Sequence, residues 1–199
     1  MKTHDADRED LVRDEILRAA RELFQTYGLT KTTMEDIAEA AGKEKSTLCY
    51  YFKNKEEVFR VVAGLEFADV METIGKGVKW VHSAEEKLRL FFTIRNNAIR
   101  CKARLYPPIF KGTKNHMPLF RRIQRESNTA EVKMLKALLL EGIASGEFKG
   151  IKKEDCAAIA IIGVTALHGL DLNLLLDGRL PSAEARLAVI TDIFMKGLR

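Results

Sequence analysis

Apolar residues at helical spacing, interrupted by glycine at two closely placed points, constrain this chain most. From Asp7 to Tyr27, Val12, Ile16, Ala19, Ala20, Leu23, Phe24 and Tyr27 recur with the period of a helix. Gly28 follows and can take the left-handed conformation that ends a helix. Two overlapping cap signals come next, Thr32 with Glu35 and Thr33 with Asp36. Met34, Ile37, Ala38 and Ala41 then mark one face of a two-turn helix that Gly42 stops. After Lys43-Glu44-Lys45 a second short helix carries Ser46 to Phe52, with Leu48 and Phe52 four apart and facing inward together. Two short helices around a glycine-containing turn, braced by a longer helix before them, predict a helix-turn-helix unit.

The rest of the chain continues the helical pattern. Asn54 with Glu57 caps a fourth helix whose stripe (Val58, Val62, Leu65) runs to Gly75, and Gly75-Lys76-Gly77 predicts a break. Ser83 with Glu86 opens a fifth helix, and Pro107-Pro108 ends it. A long helix is expected over roughly Leu119 to Ser145, then two more over Lys153–Leu176 and Ser182–Leu198. No repeat, low-complexity segment or strand-type alternation interrupts this, so the expected fold class is all-α.

Composition narrows the function. The 199 residues are 46% apolar and 31% charged, an ordinary balance for a folded chain rather than a disordered one. The longest uncharged apolar-rich run, Cys156 to Leu170, is shorter than the roughly 20 residues a bilayer needs, so no membrane span is expected. The first residues lack the apolar stretch of a secretory signal, and three scattered cysteines imply no disulfide framework, so a cytoplasmic setting is expected. Residues 1–60 hold 11 basic and 13 acidic side chains, so the net charge of +5 does not arise there. It comes from the centre, where Lys87 to Arg125 carries eleven basic residues and no acid. That run is either a solvated helix face or an attractor of anions. Phosphate-loop, metalloprotease and nucleophile-elbow motifs are absent and the four histidines are scattered, so no catalytic residue, metal site or cofactor is expected.

The stretch from Ile16 to Phe59, with Thr33-Met34-Glu35-Asp36-Ile37-Ala38, Ala41-Gly42, Thr47-Leu48, Tyr51-Phe52 and Lys53-Asn54-Lys55-Glu56-Glu57, resembles the DNA-binding domain of the tetracycline-repressor (TetR/AcrR) family of bacterial regulators. The resemblance covers somewhat over a fifth of the chain. It implies a three-helix DNA-binding domain over residues 1–54 and a helical ligand-binding and dimerisation domain over 55–199. It also implies that the second short helix enters the major groove of operator DNA with Ser46, Thr47, Tyr50 and Tyr51, that Lys45 reaches a base or phosphate, and that Thr33 and Lys55 hold phosphates. Two positions depart from the family pattern: Lys43 stands where a small apolar residue is usual and adds a candidate phosphate contact, and Cys49 stands where tyrosine is usual.

A single short reading helix contacts few bases, so a homodimer is expected. The last two helices resemble the family's dimer-forming pair, with Val164, Leu167, His168, Leu174, Ile190 and Phe194 as candidate interface residues. Between the two ends, Trp80, Phe91, Phe92, Ile99, Phe110, Met117, Phe120 and Met134 are candidates to line an apolar ligand cavity, with Arg95, Asn96 and His116 as polar points. The basic run beside these aromatics suggests an anionic amphipathic effector. The expected function is a ligand-responsive repressor. A transcriptional activator of the same family, or a helical scaffold or enzyme without a DNA role, is the alternative.

Overall fold

The computed structural model describes the backbone of residues 2–105, 116–176 and 184–199, and the side chains of 9–102, 116–173 and 188–199. Eight α-helices account for nearly all of this: α1 (Lys2–Lys31), α2 (Met34–Ala40), α3 (Lys45–Tyr51), α4 (Lys55–Val78), α5 (Ala84–Leu105), α6 (Met117–Ala144), α7 (Cys156–Leu176) and α8 (Glu184–Leu198). No strand occurs among the described residues. The chain divides into two compact units. The first comprises Met1–Glu66 with Leu105–Ile123, and the second Phe67–Arg104 with Gln124–Arg199. The first unit therefore extends beyond the boundary expected at residue 54 and takes in a later segment as well.

In the first unit, Ile16, Leu17, Ala20 and Phe24 of α1 meet Ile37 and Ala38 of α2, Leu48 of α3, Phe52, and Val58, Phe59 and Val62 of α4. Phe24 and Phe59 pack edge to face with ring centroids 5.2 Å apart. Gly28 adopts φ 77°, as its place after the α1 stripe predicts, and kinks the helix there. Of the two cap signals, Thr33 with Asp36 forms: Asp36 N donates to Thr33 Oγ1 (3.1 Å) and Thr33 N donates to Asp36 Oδ2 (2.8 Å). Thr32 is instead buried, and both its hydroxyl (2.8 Å) and its N–H (3.3 Å) donate to the Gly28 carbonyl. Gly42 (φ 63°) ends α2 by sending Lys43 N to Ala38 O (2.9 Å) and its own N–H to Glu39 O (3.0 Å). That pair of bonds is a Schellman stop, which needs a residue free to adopt positive φ.

The second unit buries Ile74 of α4, Leu88, Phe91 and Phe92 of α5, Leu135, Leu138 and Leu139 of α6, Ala160, Val164 and Leu167 of α7, and Met195 and Leu198 of α8. The break expected at Gly75–Gly77 does not occur, and α4 continues to Val78. Gly77 serves close packing instead: a Cβ there would stand 3.1 Å from Leu90 Cδ2 and 3.2 Å from Ile94 Cδ1. A Cβ at Gly142 would likewise stand 2.1 Å from the Phe148 ring, which lies against the bare backbone of α6. The membrane expectation needs correction too. Lys153–Asn173 is long and apolar enough to cross a bilayer by length and composition. Its buried positions Cys156, Ala160, Val164 and Leu167 belong to the second unit's core, and 28% of the apolar window is buried.

The start of α5 is held from a distance. Glu147 accepts hydrogen bonds from Ser83 Oγ (2.7 Å), Ala84 N (2.9 Å), Glu85 N (3.0 Å) and Ser145 Oγ (2.9 Å). Those donors, led by the Glu85 amide, hold its carboxyl down at about 2, against an ordinary value of 4.5. A depressed folded-state value contributes stability that is complete above the ordinary value and lost as pH falls toward about 2. Glu147→Gln is expected to cost about 1 to 2 kcal/mol near neutral pH. The gap between wild type and variant should narrow between pH about 4.5 and about 2 in denaturant melts, and a gap that does not change with pH would refute the assignment.

Candidate functional site

The seven residues of α3 are anchored on one side only. Leu48 is fully buried and Phe52, just after the helix, is nearly so. That leaves Lys45, Ser46, Cys49 and Tyr50 exposed, with Thr47 and Tyr51 half-buried at the edges. Tyr50 is 74% exposed and meets Tyr51 edge to face at 5.1 Å, so Tyr51 both packs on the core and props its neighbour outward. Cys49 shares this outward face, which its departure from the family pattern alone did not reveal.

The cations expected to meet DNA are already paired. Lys45 forms an ion pair with Glu35 of α2, and Lys43 Nζ lies 2.8 Å from Glu15 Oε2 of α1. Ser46 Oγ donates to Glu44 Oε2 (3.2 Å). Lys55 Nζ donates to the carbonyls of Thr30 (3.3 Å) and Thr32 (3.0 Å), so it caps the end of α1 and joins it to the start of α4. A phosphate at Lys55 would have to share the ammonium with those carbonyls. Thr33 is exposed and its Oγ1 accepts from Asp36 N, which leaves the hydroxyl proton available to a phosphate. Arg13 stacks over the Phe52 ring at 5.6 Å and fixes the exit of α3 from the α1 side.

The expected ligand-lining residues are divided between the two units. Trp80 is 87% exposed just beyond α4. His116, Met117 and Phe120 belong to the first unit, where His116 Nε2 is 3.4 Å from Thr30 Oγ1 and Phe120 packs on Phe59 at 5.8 Å. Phe91 and Phe92 lie in the second unit's core, Phe92 stacking on Phe194 at 5.4 Å, with Met134 half-buried against the same core. Ile99 is half-buried on α5. Phe110 lies outside the described residues, as does the side chain of Leu174.

The basic run is acid-free in sequence but not in space. Lys87 pairs with Glu141, and Arg89 pairs with Glu85 and Asp192. Arg95, 1% exposed, reaches Glu131 Oε2 with Nε at 3.0 Å and Asp171 Oδ2 with Nη1 at 2.8 Å. His168 Nε2 completes the network at 3.1 Å from Glu131. Burial opposes the Arg95 charge, yet Asp171 and Glu131 outweigh it and raise the guanidinium above its ordinary value. Burial pushes the Asp171 carboxyl up against the pull of Arg95, whereas at Glu131 His168 and Arg95 overcome burial and hold it down. The anionic head expected to seek Arg95 would therefore meet a cation that two carboxylates already face.

The expected dimer residues point mostly inward. Val164 and Leu167 are core, His168 bonds Glu131, and Phe194 packs on Phe92. Only Ile190 among the described side chains is outward, at 40% exposure. Around the same two helices Ile161 and Ile162 of α7 and Val189 and Ile193 of α8 are exposed together with Ile190. An almost wholly apolar helix gives no periodic signal to say which side faces the core.

Residues 16–62 match the family model of bacterial regulatory proteins of the tetR family. The HTH-type transcriptional repressor KstR2 of Mycolicibacterium smegmatis is 31% identical over 143 residues, which span 69% of this chain and 67% of that protein. The HTH-type transcriptional repressor NicS of Pseudomonas putida is 28% identical over 217 residues, spanning 98% and 95%. A solved transcriptional regulator from Cytophaga hutchinsonii is similar with a TM-score of 0.75 at 25% identity, covering 91% of this chain and 95% of that one.

The Lys45–Glu35 pair gives a direct test of the α3 face. Glu35→Gln releases Lys45 and removes one negative charge. Affinity for non-specific duplex DNA should rise, and the slope of log affinity against log salt should steepen by up to about 0.9. An unchanged slope in fluorescence anisotropy titrations would place Lys45 away from phosphate.

Proposed function

The chain is a member of the TetR family of bacterial regulatory proteins, and from that premise we propose that it works as a ligand-responsive transcriptional repressor, a homodimer that reads operator DNA with α3. The reading rests on one observation: a seven-residue helix whose inner side is locked into a core while Lys45, Ser46, Cys49 and Tyr50 project from it. Side chains placed this way suit the major groove, where the helix face meets base edges and hydroxyls and ammonium groups meet phosphate. Thr33 at the start of α2 and Lys43 after it supply further phosphate contacts in this reading. The protein is then a regulator rather than an enzyme, acting on cytoplasmic DNA.

Dimerisation is assigned to the outward apolar face of α7 and α8. Five large aliphatic side chains, Ile161, Ile162, Val189, Ile190 and Ile193, are 40% to 67% exposed there. Exposed Ala166 and Gly169 on α7 let a second copy approach closely. A four-helix bundle between protomers would bury this face and set two α3 helices at a spacing that DNA must match, about 34–36 Å for consecutive turns. A small-molecule effector acts by binding unequally to conformations of different spacing, and reduces operator affinity only by that inequality.

Two substitutions separate the halves of the proposal. Tyr50→Ala should weaken operator binding by about 1 to 3 kcal/mol in mobility-shift titrations with upstream DNA while leaving the melting temperature unchanged. Ile193→Asp should give a monomer by analytical ultracentrifugation and lower operator affinity with α3 intact. A dimeric Ile193→Asp protein, or full operator affinity in Tyr50→Ala, would reject the corresponding half.

A further inference from the structure

The second unit holds polar atoms that its own side chains do not satisfy. Arg95 Nη1 lies 2.8 Å from Asp171 Oδ2, but the contact lacks hydrogen-bond alignment. Both Asp171 carboxylate oxygens, Arg95 Nη1 and Nη2, Asn96 Oδ1 and Asn128 Oδ1 are buried with no hydrogen-bond partner among the described residues. Arg95 and Asn96 are at least nine-tenths buried, as is Asp171 as a whole residue. Buried polar groups are rarely left unpaired, so atoms gathered in this way mark a place where something else supplies the partners.

Arg95 and Asp171 are in direct contact, and Asn96 and Asn128 stand next to this network along the chain. Contacts from Arg95 to Glu131 and Asp171, and from Glu131 to His168, tie α5, α6 and α7 into one network. Asn128 precedes Glu131 by three residues and Asp171 follows His168 by three, so each shares a helix face with a network member. Asn96 adjoins Arg95 on α5. Their half-buried sequence neighbours Ile99, Val132 and Leu172 are apolar.

The kind of unmet atom selects the ligand. Donors on Arg95 and acceptors on Asp171, Asn96 and Asn128 are open at once. A carboxylate could serve only the donors and would face Glu131 and Asp171. An ammonium could serve only the acceptors and would face Arg95. A neutral group with a donor and an acceptor side by side serves both and adds no buried charge. We propose that Arg95, Asn96, Asn128 and Asp171 form a binding site for the uncharged carboxamide or lactam head of a small molecule carrying a short apolar body. This deepens the reading of the chain as a ligand-responsive regulator and rests on it.

A matched series tests the head group in the full-length protein: hexanamide, hexanoate and hexylamine, followed by calorimetric titration and thermal shift. Hexanamide should bind at least tenfold more tightly than either charged analogue and raise the melting temperature. Asn128→Leu and Asp171→Leu should each weaken hexanamide at least tenfold. Because Asp171 faces Arg95, its replacement can disturb folding. Asn128 lies outside the ion pairs, and Asn128→Leu should melt no lower than wild type, which a merely structural asparagine would not allow. The proposal is overturned if none of the three compounds binds, which would mean that water alone fills the site. It is also overturned if a charged analogue binds more tightly, or if Asn128→Leu binds hexanamide as wild type does. Operator mobility shifts run in parallel keep the two readings apart. Lost hexanamide binding with intact, salt-dependent operator binding removes this site alone, whereas absent operator binding removes the regulator reading.

Discussion

Burial of Leu48 and Phe52 against α1, α2 and α4 is the constraint on which the DNA-facing half depends. A seven-residue helix is too short to persist in water by itself. It exists here because the core takes one side of it, at about 1.5 to 3 kcal/mol for each large apolar side chain removed from water. The same burial fixes its rotation, and rotation decides which side chains face outward. Lys55 then holds the frame closed by bonding the last carbonyls of α1, at the place where Gly28 and Thr32 turn the chain.

The second unit rests on close approach between helices, with Glu147 capping the start of α5. Gly77 lets α4 meet Leu90 and Ile94 of α5, and Gly142 lets Phe148 lie on α6. Into this packing the chain inserts Arg95 with Glu131, Asp171 and His168 from two other helices. A buried ion network contributes little net stability, because desolvating the charges offsets their attraction. Its partly unmet hydrogen bonds make it an unfavourable element for stability alone, which is why a binding role accounts for it better than a structural one.

Much of the fold was legible along the chain. The helix-turn-helix followed from Gly28, the Thr33–Asp36 cap, Gly42 and the Leu48–Phe52 pair, all signals that act within a few residues. The separation of α7 from α8 followed from the run Asp177-Gly178-Arg179-Leu180-Pro181 in the sequence. Signals with two physical meanings misled. Glycine at positions 75 and 77 reads as a helix break, yet α4 continues and Gly77 serves packing. Ser83 does cap locally, accepting from Glu86 N (3.3 Å), but its hydroxyl also bonds Glu147, 64 residues away. The candidate DNA-contacting residues were named from family resemblance, yet the pairs of Lys43 with Glu15 of α1 and of Lys45 with Glu35 of α2 leave no trace in linear spacing.

Linear sequence determined the all-helical class, the reading unit and the presence of an apolar C-terminal pair, because local periodicity and caps encode helices directly. Tertiary structure alone decided which side of α7 and α8 stays open, since Val164 and Ile161 are equally apolar and only packing separates them. It also decided that the basic run carries no free cation at Arg95. Charges far apart in the chain neutralise one another once helices lie side by side, and no one-dimensional count can register that.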